Sequence, residues 1–402
     1  MECALGFPQL ANRNPFIKDL DEQGFDVDFI NGLLVIYGLP YLDSAGELQH
    51  GDLVSKVNLA DDGLIKPPTG DHQVWFRGVR PHYRAGQPIA IGFAQNLLPV
   101  APTFDAPHSF SFKLKDDRGN PRDYSTIEEK IQAYLDRLMA PALEAYPSAT
   151  PHRGLEKKVQ AQNSPLLFPD TSSANYGFND YAGMLRGKQV AIIGLGGTGS
   201  YILDFIARTH LEQIALFDDD KVHMHTIFRM PGFIPRPFGK KKVDVLAQYY
   251  GQWRRGIEPV ADRVTEKNID RLSMFDFVFV SVDKGPSRRL IVDWLSSKGI
   301  PFVDCGMGLT RVVGGLNGIV RVTGVDRQAF ERTINTAYLP TAETKEDEYR
   351  KQGQIAELNA LNAALAVVRF KQYFGLFARE DDSSWYTWET ASFSFDSESA
   401  SR

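Results

Sequence analysis

Cysteine is almost absent from this 402-residue chain, which has only Cys3 and Cys305. Two thiols so far apart give no disulfide framework and no Cys-x-x-Cys zinc pattern, so a stapled secreted domain and a zinc ribbon are excluded. A reducing cytoplasm is the expected compartment. No apolar run reaches the roughly 20 residues a membrane-spanning helix needs. The first residues, MECALGFPQLANRNPF, have neither a basic start nor a long apolar stretch, so no secretion signal is expected. Positive charge is in short supply as well: 45 Lys and Arg stand against 50 Asp and Glu, a net charge of -5. A sequence-independent grip on nucleic acid or on an anionic membrane needs the opposite balance. Internal repeats and single-residue tracts are missing, which sets aside solenoids and long disordered arms.

What remains is a globular chain too long for one small core, so two domains are expected. Residues 1–150 have short strand-like runs at Leu33–Tyr37, Val74–Phe76, Ile89–Gly92 and Phe110–Leu114, closed by a helical pattern over Thr126–Leu143. This predicts a smaller α+β domain whose role the residues do not state. His72, His82 and His108 are scattered in it without metal-ligand spacing. Residues 151–187 turn polar and rich in Pro, Ser and Asn, as a linker would. From 188 to 380 strands and helices alternate, predicting an α/β, Rossmann-like, mostly parallel sheet with helices on both faces. Gln354–Gly375 reads as a helix with Ile355, Leu358, Leu361, Ala364, Leu365, Val368 and Tyr373 facing the sheet. Residues 381–402 read as a C-terminal tail whose aromatics cover the core or dock a partner.

The organising stretch is Lys188–Asp220, a strand, a glycine turn (Gly194, Gly196, Gly197, Gly199), a helix and a second strand ending at Asp218. Such glycines let backbone approach a phosphate, and the helix they open presents free N–H groups to an anion. Asp218 stands where a carboxylate can accept from ribose hydroxyls. The turn alone fits an NAD(P)-dependent oxidoreductase or a non-catalytic nucleotide-bound scaffold equally well. Beyond it, Arg229, Lys242 and Asp283 fall near the phosphate end. Two cations and a carboxylate suit ATP with Mg²⁺, because the cations take up phosphoryl charge while Asp283 can hold the metal. His223 and His225 form an HxH read as solvated loop histidines, and no zinc is expected.

With these motifs in order, segment 188–375 resembles the ThiF-type adenylyltransferases, the superfamily of the ubiquitin-activating enzymes. The glycine turn with Ser200 matches the family's GxGGxGS, and Asp218, Asp220 and Val222 match its DxDxV. Its arginine, lysine, Mg²⁺-linked aspartate and further arginine fall on Arg229, Lys242, Asp283 and Arg288. The whole chain is similar to a bacterial subgroup, with an extra N-terminal domain, from operons suspected of antiphage defence. The resemblance implies ATP-dependent adenylation of the C-terminal carboxylate of a ubiquitin-like or sulfur-carrier-like protein, a homodimer, and a carrier-enzyme partner for onward transfer.

Two departures stand out. Thr226 and Met230 replace the family's asparagine and glutamine, with Thr226 still able to donate one hydrogen bond to a phosphate. The crossover segment 335–352 lacks the cysteine that would carry a thioester. Direct handover, a thioester on Cys305, or an oxyester on Thr336, Thr341 or Thr344 stay open.

Overall fold

The strands of the first unit form because apolar residues sit on both pleat faces of its centre. In β2 (Leu33–Leu42), Leu34 and Ile36 enter one buried cluster and Leu33 and Val35 another. The computed structural model describes residues 7–155, 164–175, 177–232, 234–325, 339, 353–380 and 383–397. The chain divides into two units, Met1–Ala161 and Gln162–Arg402.

In the first unit, α1 (Phe7–Arg13) and α2 (Pro15–Glu22) precede an antiparallel sheet ordered β1-β2-β3-β4-β6-β5. The other strands are β1 (Asp26–Ile30), β3 (Leu48–Lys56), β4 (Gln73–Arg77), β5 (Gly92–Ala101) and β6 (Phe104–Ser111). A small hairpin, β7 (Leu114–Lys115) and β8 (Pro121–Arg122), leads to α3 (Ile127–Ala145). Thr126 caps α3 by accepting from the Glu129 N–H at 3.1 Å. The expected α+β module is present, with one shift: Ile89 and Ile91 are buried in a loop, and the strand begins only at Gly92.

The second unit begins earlier than the linker reading places it. Ser164 Oγ lies 2.8 Å from His210 Nδ1, whose Nε2 lies 3.2 Å from Asp170 Oδ2, and Leu166 bridges to Arg254. Burial pushes the His210 pKa down, so a neutral ring joins the two side chains and fastens this polar segment to the unit. Two short helices follow, α4 (Thr171–Asn175) and α5 (Asn179–Gly183).

The main sheet is ordered β11-β10-β9-β12-β13-β14-β15-β16. Its parallel half comprises β9 (Gln189–Ile193), β10 (Gln213–Phe217), β11 (Ile257–Val260), β12 (Phe277–Val280) and the start of β13 (Phe302–Val312). Val190 and Ile192 face a cluster with α6 (Gly197–Ile206), α8 (Lys242–Tyr250) and α10 (Ala356–Tyr373). Ala191 and Ile193 face α9 (Gly285–Lys298) and a 3₁₀ turn at Ile269–Met274. This is the predicted parallel sheet covered on both faces. From β9 the chain runs outward through β10 and β11 and then crosses back to β12 on the other side of β9, and this reversal opens a crevice at the strands' carboxyl ends.

Residues 385–397 correct the tail reading. They form β15 (Trp385–Glu389) and β16 (Ser394–Ser397), which continue the antiparallel half beyond β14 (Gly315–Val325). Trp385 is buried on this strand, while Phe393 and Phe395 stay exposed. The face of α10 is a second correction. Leu358, Asn359, Asn362, Ala363, Ala366, Val367 and Phe370 are buried, whereas Val368 and Tyr373 are exposed. The buried face thus runs through Leu358, Val367 and Phe370 together with alanines and asparagines, and the small side chains let the helix come close to α6 and the sheet.

Candidate functional site

The turn after β9 is built by glycines that no larger residue can replace without displacement. Gly194 has φ +88°, and a Cβ there would stand 2.4 Å from the Ser281 carbonyl oxygen. A Cβ on Gly199 would stand 1.9 Å from the Gly194 carbonyl oxygen. Gly196 differs, having open space around it where it caps α6. Ser200 is buried and donates to the Gly197 carbonyl at 2.8 Å.

This turn forms one wall of a cleft of about 680 Å³ at the switch between β9 and its neighbours. The cleft is lined by Gly194, Gly196, Gly197, Asp218, Asp220, Arg229, Lys242, Asp283, Arg288 and Cys305, which the sequence singles out. Gly199, Ser200 and Thr226 do not line it. Thr226 is buried, and its hydroxyl accepts from the His223 N–H at 3.2 Å, closing the short helix α7 (Met224–Ile227). The expected phosphate-donating role of Thr226 therefore gives way to a capping one.

Asp218 is more occupied than a ribose acid requires. It accepts from the Leu195 N–H at 2.6 Å and the Asp220 N–H at 2.8 Å, and Lys242 Nζ lies 3.6 Å away. Its first task is to hold the glycine turn against β10. Asp220 accepts from Lys242 Nζ at 2.8 Å, yet its side chain is 62% exposed. Burial pushes the Asp220 pKa up, but the hydrogen bond and charge of Lys242, with Arg263, outweigh it and hold the carboxyl below its usual range. Oxygens of Asp218, Asp219 and Asp220 lie within 4.8 Å of one another, and Lys242 and Arg263 offset two of their three charges.

Arg229 is half-buried in the cleft wall, and its Nε makes no hydrogen bond among the described residues. Burial lowers its pKa, while the charges of Asp283 and Asp220 act the other way. Asp283 is exposed to the cleft and has no ion pair or hydrogen bond among the described residues. A guanidinium Nε and a carboxylate thus stand open in the same cleft, the one able to bind an anion and the other a cation. His223 and His225 stack on each other, ring centroids 5.7 Å apart, on the exposed loop nearby.

Sequence reasoning missed five contributors, Arg321, Lys284, Gly306, Gly308 and Asn359. Arg321 on β14 and Arg288 on α9 both donate to the buried Asp304, at 2.6 and 2.9 Å. Lys284 adds a cation at the start of α9, and that helix's first turn lines the cleft as α6 does. Gly306 and Gly308 leave a side-chain-free floor on β13, where a Cβ on Gly306 would meet Arg321 Nη2 at 2.7 Å. Asn359 of α10 accepts from Thr198 Oγ1 at 3.0 Å behind the turn. The signal for Asn359 was available: LNALNAALAV places two polar residues three apart in an otherwise apolar helix.

Cys305 is 4% exposed, and burial with the nearby Asp304 pushes its thiol pKa well up. A thiol that resists ionisation is a poor nucleophile, which corrects the thioester option there. Thr336, Thr341 and Thr344 lie outside the described residues. Among the described residues, no helix is long and apolar enough to cross a membrane.

The ThiF family profile matches residues 175–394, more than half of the chain, and a second family, "Domain of unknown function (DUF6791)", matches residues 15–171. The chain is 39% identical over 150 residues to ubiquitin-like modifier-activating enzyme 5 of Drosophila mojavensis, covering 34% of this chain and 37% of that one. It is 28% identical over 130 residues to the NEDD8-activating enzyme E1 catalytic subunit of Dictyostelium discoideum, covering 32% and 29%. With the SAMP-activating enzyme E1 of Haloferax volcanii the identity is 27% over 128 residues, covering 30% and 46%. The chain thus spans less than half the length of each of these relatives. Among solved structures, E. coli MccB with MccA-N7isoASN is 15% identical with a TM-score of 0.47, covering 69% of this chain and 84% of that one.

Proposed function

Because the chain belongs to the ThiF family, we propose that it uses ATP to adenylate the C-terminal carboxylate of a small ubiquitin-like protein. The observation that carries this reading is the pairing, on one cleft wall, of Arg229 and Asp283 with polar atoms that have no partner among the described residues. A hydride-transfer site needs little beyond the glycine turn and a ribose acid, whereas a triphosphate with a divalent cation uses both of these charges. The first turns of α6 and α9 add their N-terminal dipoles to the same cleft.

In the proposed reaction the carboxylate oxygen attacks the α-phosphorus, the bond from that phosphorus to the bridging oxygen breaks, and pyrophosphate leaves with the electron pair. Arg229 and Lys242 neutralise the charge that gathers on the phosphoryl oxygens. Asp220, the exposed acid at the end of β10, is best placed to accept from ribose hydroxyls, with Asp218 fixing the turn beneath. A single open carboxylate, Asp283, fits Mg²⁺, which is commonly held by one or two carboxylates and by phosphate oxygens. When bound, the ion would add to the neutralisation of phosphoryl charge. The acyl group passes to its acceptor with cleavage of the acyl–phosphate bond and release of AMP, without a stop at the buried Cys305.

The test is ATP–pyrophosphate exchange in the presence of a Gly-Gly-ended ubiquitin-like protein. Exchange is expected to vanish in Asp283→Ala and to fall by about 10²-fold or more in Arg229→Ala. Robust exchange by both variants, or exchange that ignores Mg²⁺, would remove these assignments.

A further inference from the structure

Helix α10 touches both walls of the cleft through two buried amides. Asn359, 1% exposed, accepts from Thr198 Oγ1 at 3.0 Å at the start of α6. Its Nδ2 makes no hydrogen bond among the described residues and lies so close to the turn that a Cβ on Gly197 would stand 2.1 Å from it. One helical turn on, Asn362, fully buried, donates from Nδ2 to the Gly306 carbonyl at 3.0 Å. Thr198 belongs to the wall made by the glycine turn, and Gly306 to the floor on β13.

Amides are an uneconomical way to fill a core, since Asn359 Nδ2 and Asn362 Oδ1 are both buried without partners among the described residues. Leucine would fill similar space with no such atoms. What the amides add is direction, because Asn359 holds the Thr198 hydroxyl at the turn and Asn362 the Gly306 carbonyl of β13, two segments that line the cleft. Gly197 has no Cβ because the Asn359 amide occupies that place. The glycine therefore serves the clamp as well as the approach of an anion.

We infer that Asn359 and Asn362 are positioning residues that set the spacing of the two cleft walls, Asn359 holding the turn that receives the phosphates and Asn362 the strand that receives the acyl donor. The assignment of those two roles rests on the adenylation reading, while the clamp itself does not. Neither residue touches the reacting atoms. A substitution of Asn359 therefore acts on ATP, one of Asn362 acts on the protein substrate, and each is silent toward the other partner.

The experiment uses the full chain and the variants Asn359→Leu, Asn359→Asp, Asn362→Leu and Thr198→Val. The first readout is amide hydrogen exchange in the nucleotide-free protein. Asn359→Leu is expected to speed exchange over the 196–200 turn at least tenfold, with β2 and β3 of the first unit unchanged as an internal control for folding. Asn359→Asp, which keeps the acceptor for Thr198, is expected to restore protection. The second readout is pyrophosphate exchange. Asn359→Leu is expected to raise KM for ATP about tenfold with KM for a Gly-Gly-ended ubiquitin-like protein unchanged, and to add nothing in a Thr198→Val background. Asn362→Leu is expected to show the reverse pattern.

Unchanged protection of the turn in Asn359→Leu would overturn the clamp. Equal changes in both KM values for both variants would overturn the division of roles and leave a general packing contribution. A wild-type chain that bound no ATP would sink the adenylation reading, and the exchange comparison on the nucleotide-free protein would still decide on the clamp.

Discussion

Each unit buries a lysine against aspartate, and the two lysines do different work. Lys130, in the first unit, is 0% exposed and reaches Asp71 at 3.0 Å from inside a filled core. Lys242, in the second, is 5% exposed, pairs with Asp220 at 2.8 Å and Asp218 at 3.6 Å, and lines an open cleft. Burial alone does not mark a functional charge, because a desolvated ammonium can simply be paired and packed. A buried charge becomes informative when space for a ligand lies beside it. The acids around Lys242 also converge from the strand end and the loop after it, as a site requires, whereas Asp71 fastens a loop to α3.

The comparison is sharpest at the lysines themselves. Lys242→Met is expected to lower pyrophosphate exchange by about 10²- to 10³-fold while circular dichroism shows the fold retained, with some loss of melting temperature because buried Asp218 loses a partner. Undiminished exchange in Lys242→Met would place Lys242 with Lys130 as a packed ion pair and erase the distinction. The glycines give the next largest effect by the same criterion of filled against open space. Gly199→Ala places a methyl 1.9 Å from a backbone oxygen and is expected to destabilise the second unit by about 3 kcal/mol in denaturant titration. Gly196→Ala meets nothing within 4 Å and is expected to leave stability unchanged while weakening ATP binding. Normal ATP affinity in Gly196→Ala would mean that the phosphates do not use that space.

The parallel half of the main sheet was legible because its strands are continuous apolar runs bounded by turns, as in Val190–Ile193 and Phe277–Val280. The cleft was legible for a related reason: strand ends fix where Asp218 and Asp283 emerge. What was hidden depends on partners distant in the chain. Trp385–Glu389 mixes polar and aromatic residues, and only pairing with β14 shows it to be a strand. Asp218 reads as a free ribose acid until the Leu195 and Asp220 amides are seen to occupy it. The face of α10 was read only in part: Leu358 is buried as expected, but against Gly197 the helix buries Asn359, a polar residue that a count of apolar positions passes over.

The smallest expected effect tests the first half of the comparison. Asp71 keeps a third of its side-chain surface in water, so removing its partner strands no buried charge. Lys130→Met, close in shape, is therefore expected to shift stability by no more than about 1 kcal/mol at pH 7 and to leave pyrophosphate exchange untouched. Burial lowers the Lys130 pKa from 10.5, with Asp71 opposing the shift. Between that lowered value and 10.5 the unfolded chain binds more protons than the folded one, so the wild type gains stability as pH rises through this window. Lys130→Met has no such proton to lose, and its stability relative to wild type should fall across the same window in denaturant titrations at successive pH values. Loss of exchange in Lys130→Met with the fold intact would show that a lysine sealed in a filled core still serves the reaction, and the criterion that separates the two lysines would fail.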